Sequence, residues 1–241
     1  KLFEALFVKS VRSLFGASRF EAKRLEQEWR LCLKVEAAPL ARVPWELLYD
    51  ESTRRFLAMD HALIRLPATG VQAARAVAAR ERRILWVGAS PSDLPALDLA
   101  RERRLLDEAL AKVPLDVRPI VETLEPPTPE ALLQRLASNE LELLHFAGHG
   151  VLADKEGALA LCGPDGRTHL LSAREIGEVV ARKGALGVVV LNACEGAASH
   201  AEDALSSVAA LLSSQGLPAV VAMQTSIRDD FAAELTGHLY R

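Results

Sequence analysis

Apolar residues recur at helical spacing over Leu2, Phe3, Leu6, Phe7, Val11, Leu14 and Phe15, which predicts an opening helix over residues 2–14. Ser18 is placed to cap a second helix over residues 20–29. Leu31, Leu33 and Val35 then alternate with Cys32, Lys34 and Glu36, the period of a half-buried strand. Residues 44–48 predict a short helical turn with Pro44 at its first position. Residues 56–59 and 62–66 predict a hairpin around Asp60-His61. Residues 69–82 are polar and Ala-rich, and we read them as the connection between two lobes, 1–75 and 76–241.

The pattern changes after that connection. Residues 84–87 form a buried strand, 100–112 a helix and 117–121 a strand. Pro126-Pro127-Thr128-Pro129 breaks the chain and opens a helix over 130–137. A strand over 141–146 runs into Ala147-Gly148-His149-Gly150. Residues 159–161 and 169–171 flank Gly163-Pro164-Asp165-Gly166, a hairpin with turn-forming residues. Ser172 and Glu175 form a capping box at the head of a helix over 173–182. The Val-rich run 186–191 has the composition of a strand buried on both faces, as in parallel sheets. A helix over 202–214 stops at Gly216 and Pro218, and a strand over 219–223 and a helix over 229–240 come after it. Alternation of strand and helix predicts an α/β sandwich with a mostly parallel central sheet and helices on both faces.

Composition narrows the function classes. The 241 residues are enough for one large domain or two small ones, at roughly 100–200 residues each. Half are hydrophobic and 25% are charged, which excludes disorder. Twenty-nine basic against 32 acidic residues leave a net charge of −3, which argues against direct nucleic-acid binding through bulk charge. With aromatics at 5%, a base-stacking platform is not expected. Three scattered cysteines, Cys32, Cys162 and Cys194, form no disulfide framework and suit a reducing, cytoplasmic compartment. No apolar run approaches the ~18 residues of a membrane span, so no membrane partner is expected. Lys1 enters an apolar helical pattern at once; no signal peptide is visible, and the reading expects a segment of a larger protein.

In open α/β sheets, active sites lie at the carboxyl ends of strands. Two predicted buried strands end in residues with chemistry. One ends at His149, between Gly148 and Gly150; the other ends in Asn192-Ala193-Cys194, with Glu195-Gly196 next. A thiolate attacks a carbonyl carbon, and an imidazole takes the thiol proton or protonates the leaving amine. The oxyanion that forms needs two backbone N–H donors, for which Gly150, lacking a Cβ, and Cys194 are candidates. Taken singly, Cys194 reads as a small buried hydrophobe and His149 as a satisfied core group; it is the pair that points to chemistry. Cys32 and Cys162 read as structural filler, and His61, His169, His200 and His238 as solvated or loop residues.

Two further readings are weaker. His145 and His149, four apart, share one face of a strand but stand ~13 Å apart if it is fully extended. A helical metalloprotease pair would need Glu beside the first His, where Phe146 stands, so no metal is expected. Gly148-His149-Gly150 lacks the third glycine of a dinucleotide loop and runs into a hairpin where a helix should open, so no cofactor is expected.

His145-Phe146-Ala147-Gly148-His149-Gly150 and Leu191-Asn192-Ala193-Cys194-Glu195-Gly196 together resemble the CHAT domain, a bacterial branch of the caspase-like, separase-related cysteine peptidases. Cys194 lies 45 residues after His149; caspases separate their pair by ~50. Pro44-Trp45-Glu46-Leu47-Leu48-Tyr49-Asp50 resembles the family's amino-terminal signature, and Phe56-Leu57-Ala58 and Ile64-Arg65 come next in the family's order. Ser207-Val208-Ala209 and residues 216–222 resemble the family's helix and strand after the nucleophile, and Arg228-Asp229-Asp230 the turn after that strand. Gly196 departs from the Thr or Ser common there, and Met223-Gln224-Thr225 replaces a usual Trp.

The resemblance implies a caspase-like three-layer α/β/α sandwich with a smaller, bracing amino-terminal lobe. It implies a His149/Cys194 dyad, an oxyanion hole at Gly150 and Cys194, and cleavage of a protein substrate. Asn192 stands two before the nucleophile, where caspases carry Gln, and is expected to line the pocket for the residue before the cut. Asp229 or Asp230 is expected to pair there with a basic residue; Arg228-Asp229-Asp230 is equally a helix start, where carboxylates favour the dipole. The resemblance further implies a latent enzyme, switched on by a sensor or repeat domain in the same or a neighbouring chain. The setting it suggests is bacterial anti-phage defence, including CRISPR-associated systems. The alternative is a silent pseudoprotease acting as a scaffold.

Overall fold

The computed structural model describes residues 1–35, 40, 43–66, 82–138, 140–154, 156–183, 186–192, 201–222 and 239–240. The chain divides into two compact units, Lys1–Gly70 and Val71–Arg241.

The first unit is built on aromatic packing. Helices α1 (Leu2–Leu6) and α2 (Lys9–Arg24) bring Phe3, Phe7 and Phe15 together, with ring centroids of Phe7 and Phe15 4.3 Å apart and Trp29 edge-on to Phe15. Leu33, Trp45, Leu48 and Leu57 complete this core. The predicted opening helix is broken: Val8 is extended and α2 restarts at Lys9. Ser18 lies inside α2 and is not a cap. Its hydroxyl donates back to the Phe15 carbonyl and accepts from Trp29 Nε1, an arrangement open to Ser within a helix.

Trp45–Leu47 forms a 3-10 turn behind Pro44, as the sequence predicts. The predicted hairpin at Asp60-His61 does not form. Leu57 is buried and its N–H bonds the Leu48 carbonyl, so α3 (Leu57–Asp60) coils where a strand was expected. Strand β2 (Tyr49–Asp50) pairs antiparallel with β3 (Arg55–Phe56). Strands β1 (Arg30–Lys34) and β4 (Ala62–Leu66) pair in parallel. His61 lies in the bend between α3 and β4, a loop residue as expected, but it is partly buried: its ring packs on Trp29 at 5.0 Å, and burial lowers its pKa.

The second unit contains a five-stranded parallel sheet. Its strands are β5 (Arg83–Gly88), β6 (Ile120–Thr123), β7 (Leu143–Ala147), β11 (Val188–Asn192) and β12 (Ala219–Ala222), in the order β12-β11-β7-β5-β6. One face carries Ile84, Trp86 and Ala147, which pack against Leu106 and Leu110 of α4 (Leu99–Ala111). The other carries Leu85, Val87, Leu144, Phe146, Val189 and Leu191 under α5 (Pro129–Leu136), α6 (Ala173–Lys183) and α7 (Ala201–Ser214). This is a three-layer α/β sandwich, consistent with a caspase-like fold.

Several local expectations hold. The Pro-rich run opens α5, where Thr128 is found as the cap, and Ser172 and Glu175 bond each other's backbone N–H at the head of α6. Strand β6 begins later than predicted. Residues 114–117 turn, and the Arg118 guanidinium binds the carbonyls of Ala111 and Val113. An unpredicted strand, β8 (His149–Ala153), joins β9 (Glu156–Cys162) and β10 (Thr168–Ser172) in an antiparallel sheet ordered β10-β9-β8. The expected connector 69–82, apart from Arg82, and all of the expected helix 229–240 except its last two residues, lie outside the described residues. Among the described residues, no helix is long and apolar enough to cross a membrane.

Candidate active site

The parallel register brings three carboxyl ends side by side: Ala147 of β7 stands opposite Gly88 of β5 and Asn192 of β11. Backbone bonds tie them, from Ala89 N–H to the Ala147 carbonyl and from Gly148 N–H to the Asn192 carbonyl. Gly148 is the point where the chain leaves β7 for β8. A Cβ there would lie 2.4 Å from Phe146 Cζ and 3.1 Å from the Ala89 carbonyl oxygen, so only glycine fits this approach. The break at Gly148 also removes the premise of the two-histidine metal reading, a single strand carrying both rings.

His149, the first residue of β8, is 3% exposed. Its Nε2 lies 2.8 Å from the carbonyl oxygen of Pro95. A carbonyl only accepts, so Nε2 carries the proton and Nδ1 is the nitrogen left to exchange one. Pro95 belongs to the loop between β5 and α4, and that loop is fastened at several points. Ser90 Oγ accepts from Leu97 N–H, and Ser92 N–H donates to the Gly166 carbonyl. Asp93 Oδ1 accepts from both the N–H and the hydroxyl of Thr168, each at 2.8 Å. The Thr168 hydroxyl holds the Asp93 carboxyl below its usual range. Thus the β9–β10 turn fixes the carbonyl that fixes His149.

His145 is engaged elsewhere. Its Nδ1 lies 2.6 Å from the Tyr240 hydroxyl, and its ring packs on Trp86. Burial pushes its pKa down to about 3 and raises that of Tyr240. Among the described residues, no three His, Cys, Asp or Glu side chains gather as a metal site.

Asn192 ends β11 and is 2% exposed; its Nδ2 donates to Glu102 Oε2 at 2.8 Å. Gly150 is buried in β8 opposite Leu159. Cys32 is exposed and Cys162 half-buried, both as free thiols. Cys194, Asp229 and Asp230 lie outside the described residues. The structure therefore places His149 and Gly150 beside the strand end from which the chain runs on to Cys194, two residues past Asn192.

Two residues of this region escaped the sequence reading. Pro95 acts through its backbone carbonyl, which no side-chain pattern discloses. Glu102 did leave a signal: Leu99, Leu106 and Leu110 mark the apolar stripe of α4, and Glu102 occupies a position within it.

A family model described as the CHAT domain matches residues 1–241, the whole chain. The chain belongs to the CHAT domain family. That family is part of the caspase-like cysteine peptidase superfamily. No curated protein sequence gave a match. In this CHAT chain Ala147 and Asn192 end adjacent parallel strands, β7 and β11.

Proposed function

We propose that this CHAT domain is a cysteine endopeptidase that cleaves a protein substrate through Cys194 and His149. The observation that carries the reading is the setting of His149. It is buried at the carboxyl end of the sheet, with Nε2 bound to the Pro95 carbonyl, beside the strand leading to Cys194.

In the proposed reaction, the Cys194 thiol gives its proton to His149 Nδ1 and the thiolate attacks the scissile carbonyl carbon. The carbonyl π electrons move to oxygen, and the backbone N–H groups of Gly150 and Cys194 receive the oxyanion. As the C–N bond breaks, the imidazolium protonates the leaving amine. Water then attacks the thioester, giving its proton to His149, and the acid product leaves with the thiol restored. The Pro95 carbonyl accepts from Nε2–H throughout, so it orients the ring. Positioned proton transfer of this kind contributes roughly 10²–10⁴-fold.

Substrate choice rests on Asn192 and on Asp229 or Asp230 in this reading: a carboxylate at the pocket selects Lys or Arg before the cut. The amino-terminal lobe braces the catalytic one and relays a signal from a sensor or repeat domain, so the enzyme is latent until switched on. A role in bacterial anti-phage defence fits such a device. The test is a mixed peptide library incubated with the wild-type protein and with Cys194→Ala, each in its longest form with the activating sensor or repeat domain present. Cleavage after Lys or Arg that disappears in Cys194→Ala is expected. Cleavage retained in the variant overturns the nucleophile, and cleavage after Asp or Leu alone overturns the basic pocket.

A further inference from the structure

Among the described residues of Val71–Arg241, Glu102 is the only carboxylate buried from water, at 6% exposure. It sits in the first turn of α4, on the side that packs Leu106, Ala109 and Leu110 onto the sheet. An apolar residue would fill that place at no electrostatic cost, whereas a buried carboxylate carries a desolvation penalty. The α4 N-terminus offsets part of it, since Glu102 lies one turn after the N-cap Asp98. The Asn192 amide offsets more, through the 2.8 Å bond from Nδ2.

Asn192 is held on two sides. Its main-chain carbonyl accepts from Gly148 N–H, tying β11 to the exit of β7, and its side chain ties β11 to α4. Its Oδ1 is buried without a partner among the described residues. A buried polar pair is a poor stabiliser compared with two well-packed apolar side chains. Its value lies in direction: one hydrogen bond fixes the last residue of β11, and Cys194 is two residues further on.

We infer that Glu102 is a positioning residue, whose carboxylate holds the Asn192 amide and thereby aims the chain that carries Cys194. The inference rests on Cys194 being the nucleophile. It assigns Asn192 a duty toward α4 beyond any contact with substrate.

The experiment is iodoacetamide alkylation of the full 241-residue chain, with peptide mapping of Cys194, Cys162 and Cys32 and the urea midpoint measured beside it. The double variant Glu102→Leu/Asn192→Leu is expected to unfold at the same or higher urea while Cys194 labels more slowly than in the wild type. Glu102→Gln keeps an oxygen that accepts from Nδ2 and is expected to keep the wild-type rate. Asn192→Asp sets carboxylate against carboxylate and is expected to lower it. Turnover of a cleaved peptide should fall on the order of 10²-fold in kcat in the double variant, the effect of a misaimed nucleophile. If the folded double variant labels Cys194 at the wild-type rate, the pair is structural and this inference falls while the nucleophile stands. If the double variant does not fold, Gln and Asp at their single positions decide, and equal rates in both overturn the inference. If wild-type Cys194 labels no faster than exposed Cys32, the nucleophile reading itself falls, and this inference with it.

Discussion

His149 Nε2 and the Pro95 carbonyl set which imidazole nitrogen can work as a base, and the residue-scale consequences depend on how that carbonyl is held. Side-chain replacement cannot delete a carbonyl, so the accessible handle is Asp93, which pins the loop through Thr168. Asp93→Ala should lower kcat of peptide cleavage about tenfold at unchanged KM, because an unfastened loop misorients the ring by a fraction of an ångström. Asp93→Asn keeps the accepting oxygen and should restore most of the rate. Steady-state kinetics on a peptide from the library checks both, and a change in KM alone would show the loop to be a substrate contact. The same residues show what the sequence could and could not disclose. Gly148-His149-Gly150 stood out because glycines flanking a histidine at a strand end are chemically unusual. The Pro95 clamp depends on a bond between loop and strand 54 residues apart, which no local pattern encodes.

At the scale of elements, glycine contacts mark where backbones meet. Gly157 of β9 lies under α7: a Cβ there would come within 2.3 Å of the Ala204 carbonyl oxygen and 2.8 Å of Val208 N. Gly157 N–H also donates to Ser207 Oγ. Gly157→Ala should therefore force α7 off the β8–β9 hairpin and destabilise the chain by about 1–3 kcal/mol, read from a urea midpoint. An unchanged midpoint would mean that α7 has room to move. Element prediction succeeded where one strong signal acted alone: the capping box at Ser172 and Glu175, the Pro-rich run before α5, and the Val-rich β11. It failed where tertiary contacts chose between near-equal local options. Ser18 stayed inside α2 because its hydroxyl found Phe15 and Trp29. Residues 57–60 coiled because burying Leu57 beside Leu48 outweighed the pull of a hairpin. Strand β8 went unseen because a Gly-His-Gly start has little strand propensity, and its partners in β9 supply the pairing.

At the scale of the whole molecule, among the described residues, the α4 face of the parallel sheet carries two buried polar pairs, His145 with Tyr240 and Asn192 with Glu102. His145 makes stability depend on pH. Its folded pKa, about 3, lies below the ordinary value of 6.5, so between those values the unfolded chain binds more protons. Its contribution is complete above pH 6.5 and is lost as pH falls toward 3, by up to about 1.4 kcal/mol per pH unit. Urea unfolding across pH 4–7 should show His145→Phe with a shallower slope than the wild type by up to about one proton. Equal slopes would show that His145 is solvated. The layered architecture was legible from strand–helix alternation alone. The polar content of the α4 face was not, because a histidine on a strand and a glutamate on a helix are each ordinary until their burial is known.

The central claim is that His149 activates Cys194, and it can be tested without a substrate. Iodoacetamide labelling of the three cysteines, mapped by mass spectrometry across pH 5–9 in the wild type and in His149→Ala, reads thiolate character directly. The account predicts that wild-type Cys194 labels faster than exposed Cys32 at neutral pH, and that His149→Ala removes this advantage while Cys32 and Cys162 are unaffected. Equal labelling of Cys194 in both proteins, at the rate of Cys32, would contradict it.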